Sequence, residues 1–408
     1  MVPEGWRELQ VGAVCSEIID CVNKTATVVA ETTPFKMIRT TNVRNGRVDT
    51  ENVRYVTEDT FRIWTRRGTL RTGDIILTRE APVGEVGQLV NADGMFLGQR
   101  TMLYRADPKK MVQSFLFQTM ISPMLKEQYV AASAGGTVHH IRVPDCSKFI
   151  VRVPPLPEQQ KIAEILSIWD KATETTEALL ANARTQKRAL MQSLLTGTRR
   201  FPGFEGQPWR EVRLQQIADI IVSNVDKKSE PHELPVRLCN YTDVYKNDTI
   251  RSDMDFMEAT ATPAQIKKFG LKVGDVIITK DSEDPTDIAV PTYVAETADD
   301  LVCGYHLAII RANDRADGRF LKYCFELPHT RYYFGARANG ATRFGLNISS
   351  IETAVFHVPS VAEQRAVADA ILLVEQEISH TIRELDHFRS EKQSLMQQLL
   401  TGKRRAII

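Results

Sequence analysis

The feature that most constrains the fold of this chain is an internal repeat. Residues 154–200 recur without a gap 205 positions later as residues 359–405. Both copies carry Glu-Gln near the start, and both end on Leu-Met-Gln-x-Leu-Leu-Thr-Gly-x-Arg-Arg. A chain that contains one segment twice predicts a pseudo-two-fold arrangement, with a target or partner of matching symmetry.

The repeated segment has the 3-4 apolar spacing of a coiled-coil helix. Gly197 and Gly402 follow the pattern where a helix C-terminus favours glycine. We therefore expect two helices of about 38 residues, each roughly 57 Å long, that pack against each other antiparallel. Lys187 and Lys392 fall on the apolar seam, where each either extends its ammonium to water or fixes register as a polar core residue.

The two segments that precede these helices also resemble each other, although more loosely. Residues 71–79 return as 272–280, and each contains a Gly-Asp pair followed by a β-branched run. Helical stretches are predicted at 111–129 and 320–334, which gives a mixed α/β reading. The predicted fold is two similar α/β domains separated by two long helices that form an antiparallel coiled coil. The predicted segments are 1–153 (first α/β domain), 154–198 (first helix), 199–357 (second α/β domain) and 358–408 (second helix).

The composition is that of an ordinary globular protein. Hydrophobic residues make up 43% and charged residues 25%, and 52 basic residues nearly balance 51 acidic ones. Six cysteines lack zinc-site spacing, so we expect a reducing cytoplasm and no metal. We expect neither a signal peptide nor a membrane span.

On these motifs the chain resembles the specificity subunits of Type I restriction-modification enzymes. The resemblance rests on the twofold Val-Pro-x-x-x-Glu-Gln (153–159 and 358–364), the twofold Leu-Leu-Thr-Gly and the twofold Gly-Asp-[Ile/Val]-Ile. It covers essentially the whole chain. It implies a non-catalytic subunit whose two target-recognition domains read the two halves of a bipartite, asymmetric site in double-stranded DNA.

The resemblance also implies partners and places the cofactors on them. The helix pair would set the gap in the DNA site and dock two modification (methyltransferase) subunits, and restriction (endonuclease and translocase) subunits would join them. The complex would methylate adenine and cleave DNA. S-adenosylmethionine, ATP and Mg are expected on the partner subunits, with no cofactor in this chain.

Two other functions stay open from the residues alone. The first is a self-contained DNA methyltransferase, although the chain has no Asn-Pro-Pro-Tyr-like tetrapeptide, Gly-rich cofactor turn or phosphate-binding loop. The second is a coiled-coil scaffold that joins proteins without reading DNA. The acidic run 280–284 is interpreted as a solvated loop. Adjacent His139 and His140 are an unfavourable metal pair, because neighbours on a strand point to opposite faces.

The DNA-contact candidates are cations, amides and aromatic residues that lie in corresponding segments of the two halves. Cations suit phosphates, and planar donors or acceptors suit base edges. Arg343 is the candidate for a guanine, because bidentate arginine is the commonest specific contact to that base. The predicted set is Arg39, Arg44, Arg79, Arg100, Thr137, His139, His140, Arg237, Asn240, Tyr241, Lys280, His306, Thr342, Arg343 and Asn347.

A second set lies on the helices and is predicted to bind the partner subunits. Its members are large apolar residues of the seam. Trp169 suits a core position, and it would be an aromatic anchor if the helix pair docks another protein. The predicted set is Leu166, Trp169, Leu180, Leu190, Ile371, Val374, Leu385 and Leu395.

Overall fold

The structure is a computed structural model, and it describes residues 2–22, 24–133 and 139–406. The chain divides into two compact units. The first unit contains residues 1–178 and 383–408, and the second contains 179–382. Each unit therefore combines an α/β part with the beginning of one long helix and the end of the other.

The strands of the first unit are β1 (Arg7–Gln10), β2 (Cys15–Asp20), β3 (Lys36–Ile38), β4 (Val43–Arg44), β5 (Gly46–Val48), β6 (Arg54–Tyr55), β7 (Ile75–Thr78), β8 (Val86–Gln88), β9 (Met95–Leu97), β10 (Thr101–Ala106) and β11 (Ile150–Val153). Its helices are α1 (Val11–Val14), α2 (Glu58–Trp64), α3 (Gln113–Met120) and α4 (Pro123–Ser133), followed by the long α5 (Leu156–Leu195). Short 3-10 turns cover Thr40–Asn42 and Val143–Asp145.

The second unit repeats this plan. Its strands are β12 (Arg210–Arg213), β13 (Ala218–Val222), β14 (Leu234–Cys239), β15 (Thr249–Ile250), β16 (Met257–Ala261), β17 (Val276–Thr279), β18 (Asp281–Ser282), β19 (Pro291–Val294), β20 (Leu301–Cys303), β21 (Leu307–Ala312), β22 (Phe344–Gly345) and β23 (Val355–Val358). Its helices are α6 (Tyr241–Lys246), α7 (Pro263–Phe269), α8 (Gly318–Glu326), α9 (Pro328–Gly335) and α10 (Ile348–Glu352), then the long α11 (Val361–Leu399), with a 3-10 turn at Leu214–Gln216.

A buried strand lies at the centre of the main sheet in each unit. The described strands are ordered β2-β10-β7-β8-β5-β4 in the first unit and β13-β21-β17-β19-β15 in the second. In β7, Ile75 and Leu77 face one apolar cluster while Ile76 faces another. In β17 the same alternation divides the strand between two clusters. Strands covered on both faces read as continuous apolar runs, which explains these sequences.

The Gly-Asp pair before each central strand has the same structural role in both units. The Asp74 carboxylate accepts from Arg105 Nε and Nη2 at 2.8 and 2.7 Å. The Asp275 carboxylate accepts from Arg311 with the same two distances. Asp74 and Asp275 are buried. Each bidentate pair joins the start of the central strand to its neighbour, which accounts for the repeated motif.

The two predicted helical stretches are confirmed as helical, but each is broken once. The breaks separate α3 from α4 and α8 from α9, and Pro123 and Pro328 begin the second helix of each pair. Proline has no amide hydrogen to donate and disfavours the helical conformation at the residue before it. A regular helix is therefore disfavoured across these positions, whereas proline suits the first turn of the helix that follows.

The two long helices are confirmed, with 40 residues in α5 and 39 in α11. In the first unit the start of α5 packs antiparallel to the end of α11, where the Trp169 and Phe388 rings meet edge to face at 5.9 Å. Lys392 Nζ lies 2.5 Å from the Asp170 carboxylate. In the second unit the repeat-equivalent pair is Lys187 and Glu375, at 2.7 Å. Both seam lysines thus pair with a carboxylate of the opposite helix.

The first motif of the repeat binds the last motif of the other copy. Glu158 accepts from Arg405 Nε and Nη2 at 2.7 and 2.8 Å within the first unit. Glu363 accepts from Arg200 at 2.8 and 2.6 Å within the second. The arginine interaction lowers the pKa of Glu158 below its ordinary value, against the opposing effect of burial. The last arginine of each copy is therefore held in an ion pair inside its unit.

Glutamine and glycine complete the same motifs. Gln159 and Gln364 are buried, and each bonds to the backbone of the loop before α3 or α8. Gly197 and Gly402 have φ of 70° and 72°, the left-handed conformation that ends a helix. The predicted helix ends are confirmed at these glycines.

None of the helices within the described ranges is both long and apolar enough to cross a membrane. The division of the chain into four successive segments stays a prediction, since each long helix contributes to both units.

Candidate nucleic-acid interface

Three segments predicted from the sequence to contact DNA meet at one end of the central strand in the first unit. Arg79 follows β7, and its amide donates to the Arg100 carbonyl at 2.7 Å. The Ile141 amide donates to the Arg79 carbonyl at 2.9 Å, which brings His139 and His140 alongside. We call Arg79, Arg100, His139 and His140 the first polar edge.

The second unit has the same backbone frame with different side chains. Lys280 follows β17, and its amide donates to the His306 carbonyl at 2.9 Å. The Leu346 amide donates to the Lys280 carbonyl at 2.9 Å and carries the Arg343 loop to this end. We call Tyr241, Lys280, His306 and Arg343 the second polar edge. The correspondence inferred from the sequence thus has a structural basis in paired hydrogen bonds.

Arg79 is largely committed to the protein. Its side chain is only 11% exposed and lies 3.3 Å from the Asp20 carboxylate. Its Nη1 also donates to the Ile141 carbonyl at 3.1 Å. These contacts favour a structural role that fixes the edge, while a DNA contact by Arg79 stays a prediction.

Arg100 is more available. It has φ of 69°, a conformation that non-glycine residues rarely adopt. Its guanidinium Nε lies 3.0 Å from the Glu80 carboxylate, and its side chain is 48% exposed. Unusual backbone conformations cluster at binding and catalytic sites. The half-exposed guanidinium of Arg100 is thus the cation of the first polar edge best placed to meet a ligand.

At the second polar edge one carboxylate organises two predicted residues. Asp281 lies 2.9 Å from Lys280 Nζ and 2.6 Å from His306 Nδ1. Arg343 is exposed, and its Nη2 lies 3.4 Å from His306 Nε2. Arginine can only donate, so Nε2 accepts in that contact and the imidazole proton lies on Nδ1, facing Asp281. The Tyr305 ring packs on the His306 ring, with 3.6 Å between the two ring centroids.

The structure corrects the reading of the acidic run 280–284. Asp281 and Ser282 form β18, which pairs with Phe344 and Gly345 in β22. Asp281 is only partly exposed. The run begins as a strand that anchors the Arg343 loop, whereas a solvated loop was expected. Asp281 pairs with Lys280 and His306, whereas Glu283 and Asp284 are exposed in the bend that follows, so a solvated loop describes only the end of the run.

Two more predicted residues begin short helical turns at equivalent places. Arg39 follows β3, where the Gly98 amide donates to the Ile38 carbonyl at 2.8 Å. Asn240 follows β14, where the Gly304 amide donates to the Cys239 carbonyl at 2.8 Å. Each thus neighbours the segment that carries Arg100 or His306.

Tyr241 begins α6, next to Asn240. Its ring stacks on Tyr245 at 5.5 Å. Burial raises the pKa of Tyr241, while a hydrogen bond with Ser282 acts in the opposite direction. That hydrogen bond places the Tyr241 hydroxyl beside β18. The hydroxyl therefore remains protonated at neutral pH and can donate.

Other predicted residues lie elsewhere or serve the fold. Arg237 holds Asp300 in a bidentate pair at 2.8 Å and donates to the Ser252 carbonyl. Asn347 caps α10 by accepting from the Ser350 amide at 2.7 Å. Arg44 is exposed on β4, and Thr342 is exposed beside Arg343. Thr137 lies outside the described residues. Contacts of all these residues with DNA stay predictions.

A cleft adjoins each polar edge. In the first unit a cleft of about 500 Å³ is lined by Glu80, Val130 and His139, among others. In the second unit a cleft of about 620 Å³ is lined by Lys227, Lys228, Lys280 and Tyr305, among others. Sequence reasoning missed Glu80 and the Lys227-Lys228 pair. Glu80 could have been found from the sequence, because an acidic residue directly follows the cation at the end of the central strand in both halves: Glu80 after Arg79, and Asp281 after Lys280.

The partner-binding candidates on the helices are mostly internal to the units. Leu166, Leu180, Ile371 and Leu385 are buried, while Trp169, Leu190, Val374 and Leu395 are partly buried. By contrast, Ile168 and Leu373, which occupy equivalent positions of the repeat, are 67% and 66% exposed. Partner contact by the predicted residues stays a prediction, and the exposed pair was missed because it lies off the seam.

Over residues 2–22, 24–133 and 139–406, no group of three or more His, Cys, Asp or Glu side chains is placed to hold a metal ion.

Known proteins with similar sequences or folds agree with this description. Residues 34–183 match the family model of the Type I restriction modification DNA specificity domain. The Type I restriction enzyme MjaVIII specificity subunit of Methanocaldococcus jannaschii is 21% identical over 98% of this chain and 93% of that protein.

Two solved structures share the fold. One is the S subunit of a Type I restriction-modification system from M. genitalium, with 15% identity, a TM-score of 0.60 and coverage of 98% of this chain and 99% of that one. The other comes from a study of complex assembly and conformational transition of the type I R-M system, with 18% identity, a TM-score of 0.59 and coverage of 99% and 100%. The resemblance drawn from the sequence is thereby confirmed: the chain is similar to the specificity subunits of Type I restriction-modification systems, with a mixed α/β fold and two long helices.

Proposed function

We propose that this chain is the DNA-recognition subunit of a Type I restriction-modification complex and reads a bipartite, asymmetric site. One observation carries the proposal: the two units present polar edges that share one backbone frame but differ in their side chains. A shared frame suits two equivalent approaches to duplex DNA, and different side chains suit different bases. The site would therefore have two unlike halves.

The base contacts would come from the exposed cations of the two edges. Arg343 would meet a guanine at the second edge, and Arg100 would do so at the first, since a guanidinium matches the two acceptors of the guanine major-groove face. Lys227 and Lys228 would contact backbone phosphates beside the second edge. None of these residues would perform chemistry, so the chain would not itself be an enzyme.

The long helices would supply the second function, which is assembly. The helix pair would dock two modification subunits and set the unread gap in the DNA site, and restriction subunits would join through them. The equivalent exposed residues Ile168 and Leu373 support two equal docking surfaces. S-adenosylmethionine, ATP and Mg would bind the partner subunits, and the complex would act in the cytoplasm.

The test is selection of DNA from a random library by the purified complex of this chain with its modification subunit. The proposal predicts enrichment of one motif with two unlike halves and a fixed gap. Binding without sequence preference would favour a protein scaffold. Binding of S-adenosylmethionine by the chain alone would favour a self-contained methyltransferase.

A further inference from the structure

Each unit has a carboxylate at one equivalent position, directly after the cation that ends the central strand. Glu80 follows Arg79 in the first unit, and Asp281 follows Lys280 in the second. Neither side chain is fully exposed, with 25% and 18% of its area accessible. Glu80 faces Arg100, and Asp281 faces His306. These two partners occupy equivalent positions, because each follows a glycine by two residues.

Each of the two carboxylates contacts the residue at the same position of the neighbouring segment, and Asp281 also pairs with Lys280 at 2.9 Å. Glu80 lies 3.0 Å from the Nε atom of Arg100. Asp281 lies 2.6 Å from the Nδ1 atom of His306, whose Nε2 faces Arg343 at 3.4 Å. In both units the carboxylate meets the rear of a planar cationic or hydrogen-bonding group. The Arg100 side chain is 48% exposed, and Arg343 is exposed.

We propose that Glu80 and Asp281 are positioning residues, each of which orients the base-reading side chains of its own polar edge. Glu80 holds the Arg100 guanidinium by an ion pair on its Nε side, so that Nη1 and Nη2 can approach a guanine. Asp281 holds the proton of His306 on Nδ1, so that Nε2 accepts from Arg343 and aims its guanidinium. This inference rests on the proposed function of sequence-specific DNA reading.

The physical reason is the cost of ordering a long side chain. A free arginine populates many rotamers, and binding must select one of them. A carboxylate that holds one edge of the guanidinium in advance reduces that cost for the correct base. It also confines the side chain to one direction, which sharpens discrimination against other bases. Because the carboxylate occupies the same position in both units, the base-contacting side chains can differ between the units while each keeps a carboxylate that orients it.

The test uses the complete complex with its modification subunit and measures competition between the cognate DNA site and its single-base variants. Glu80→Gln should reduce discrimination by about tenfold at one or two base pairs of one half-site. Asp281→Asn should do the same in the other half-site only. Glu80→Asp and Asp281→Glu keep the charge and should recover part of the lost discrimination.

Matched controls remove a paired carboxylate at the far end of the same sheet. Asp107, which pairs with Lys110, and Glu296, which pairs with Arg251, lie beyond the opposite ends of the central strands. Asp107→Asn and Glu296→Gln should leave base preference unchanged.

Three outcomes separate the inference from the function on which it rests. A half-site-specific loss of discrimination supports the positioning role. A uniform loss of affinity with unchanged base preference, or no change at all, overturns it while the DNA-reading function stands. A wild-type complex that shows no preference between cognate and altered sites overturns the proposed function itself.

Discussion

Replacement of Glu375 should destabilise the second unit far more than the equivalent change destabilises the first. Glu375 lies 2.7 Å from both Lys187 Nζ and the Tyr323 hydroxyl, and 3.4 Å from Lys322 Nζ. Burial alone would raise the pKa of Glu375, but the two lysines and Tyr323 lower it below its ordinary value. The Lys322 side chain is only 3% exposed and also pairs with Glu326 at 2.5 Å. Glu375→Gln therefore leaves a buried ammonium with one carboxylate fewer.

The magnitude follows from burial. Removal of one partner from a buried ion pair typically costs about 3–5 kcal/mol. Because Glu326 still compensates Lys322, we expect about 2–3 kcal/mol for Glu375→Gln. The repeat-equivalent Asp170 is 41% exposed, and its partners are Lys392 at 2.5 Å and Gln118 at 2.6 Å. Water can replace those contacts, so Asp170→Asn should cost about 0.5–1 kcal/mol.

Hydrogen exchange followed by mass spectrometry measures the two effects separately, because it reports opening free energies for each part of the chain. Glu375→Gln should lower protection in Gly318–Glu326, which is α8. Asp170→Asn should act weakly, on Gln113–Met120, which is α3, and on the part of α11 around Lys392. Equal losses in the two variants, or a loss below about 1 kcal/mol for Glu375→Gln, would refute the argument from burial.

Further predictions concern DNA reading, spacing and acid stability. Arg343→Ala should cost about 1–3 kcal/mol of binding free energy at one half-site and relax the specificity there. Lys228→Ala should instead weaken binding to all DNA sequences alike. Competition assays distinguish the two effects, and an unchanged affinity of Arg343→Ala for cognate DNA would remove the Arg343 assignment. Insertion of one heptad at matching points of α5 and α11 lengthens each helix by about 10 Å. The unread gap between the half-sites of the selected DNA should then lengthen by about three base pairs. An unchanged gap would show that the helices do not set it. Glu158→Gln should destabilise the first unit at neutral pH. The difference in unfolding free energy from wild type should shrink as the pH falls below about 4, because a carboxylate whose pKa is lowered in the folded state loses its stabilising contribution when it is protonated. Denaturation at several pH values measures this difference, and a difference that does not change with pH would contradict the prediction.

The elements that could be predicted from the sequence are those with a long period or a repeated motif. The two helices were evident because 3-4 spacing persists through Leu166, Leu180 and Leu194. The seam positions of Lys187 and Lys392 were also evident from the repeat, but their carboxylate partners, Glu375 and Asp170, were not predicted. Comparison of the two halves selected Arg79, Arg100 and the His139 segment as candidates, but only the structure shows that these segments meet at one edge.

What the sequence could not reveal depends on short-range geometry. The pairing of β18 with β22 involves two residues per strand, which is too short for a periodic signal, so the acidic run was misread. The burial of Arg79 against Asp20 depends on a contact between distant segments. The exposure of Ile168 and Leu373 also depends on which helix face the α/β parts cover, and a heptad pattern does not specify that.

The most direct test of the central claim is single-molecule mapping of methylated adenines in cells that express the modification subunit with and without this chain. The account predicts a new bipartite, asymmetric methyl-adenine motif that appears only when the chain is present. Its two halves should be altered separately, one by substitution at Arg100 and the other by substitution at Arg343. If a soluble complex forms and no such motif appears, the chain does not direct methylation, and its polar edges do not read DNA.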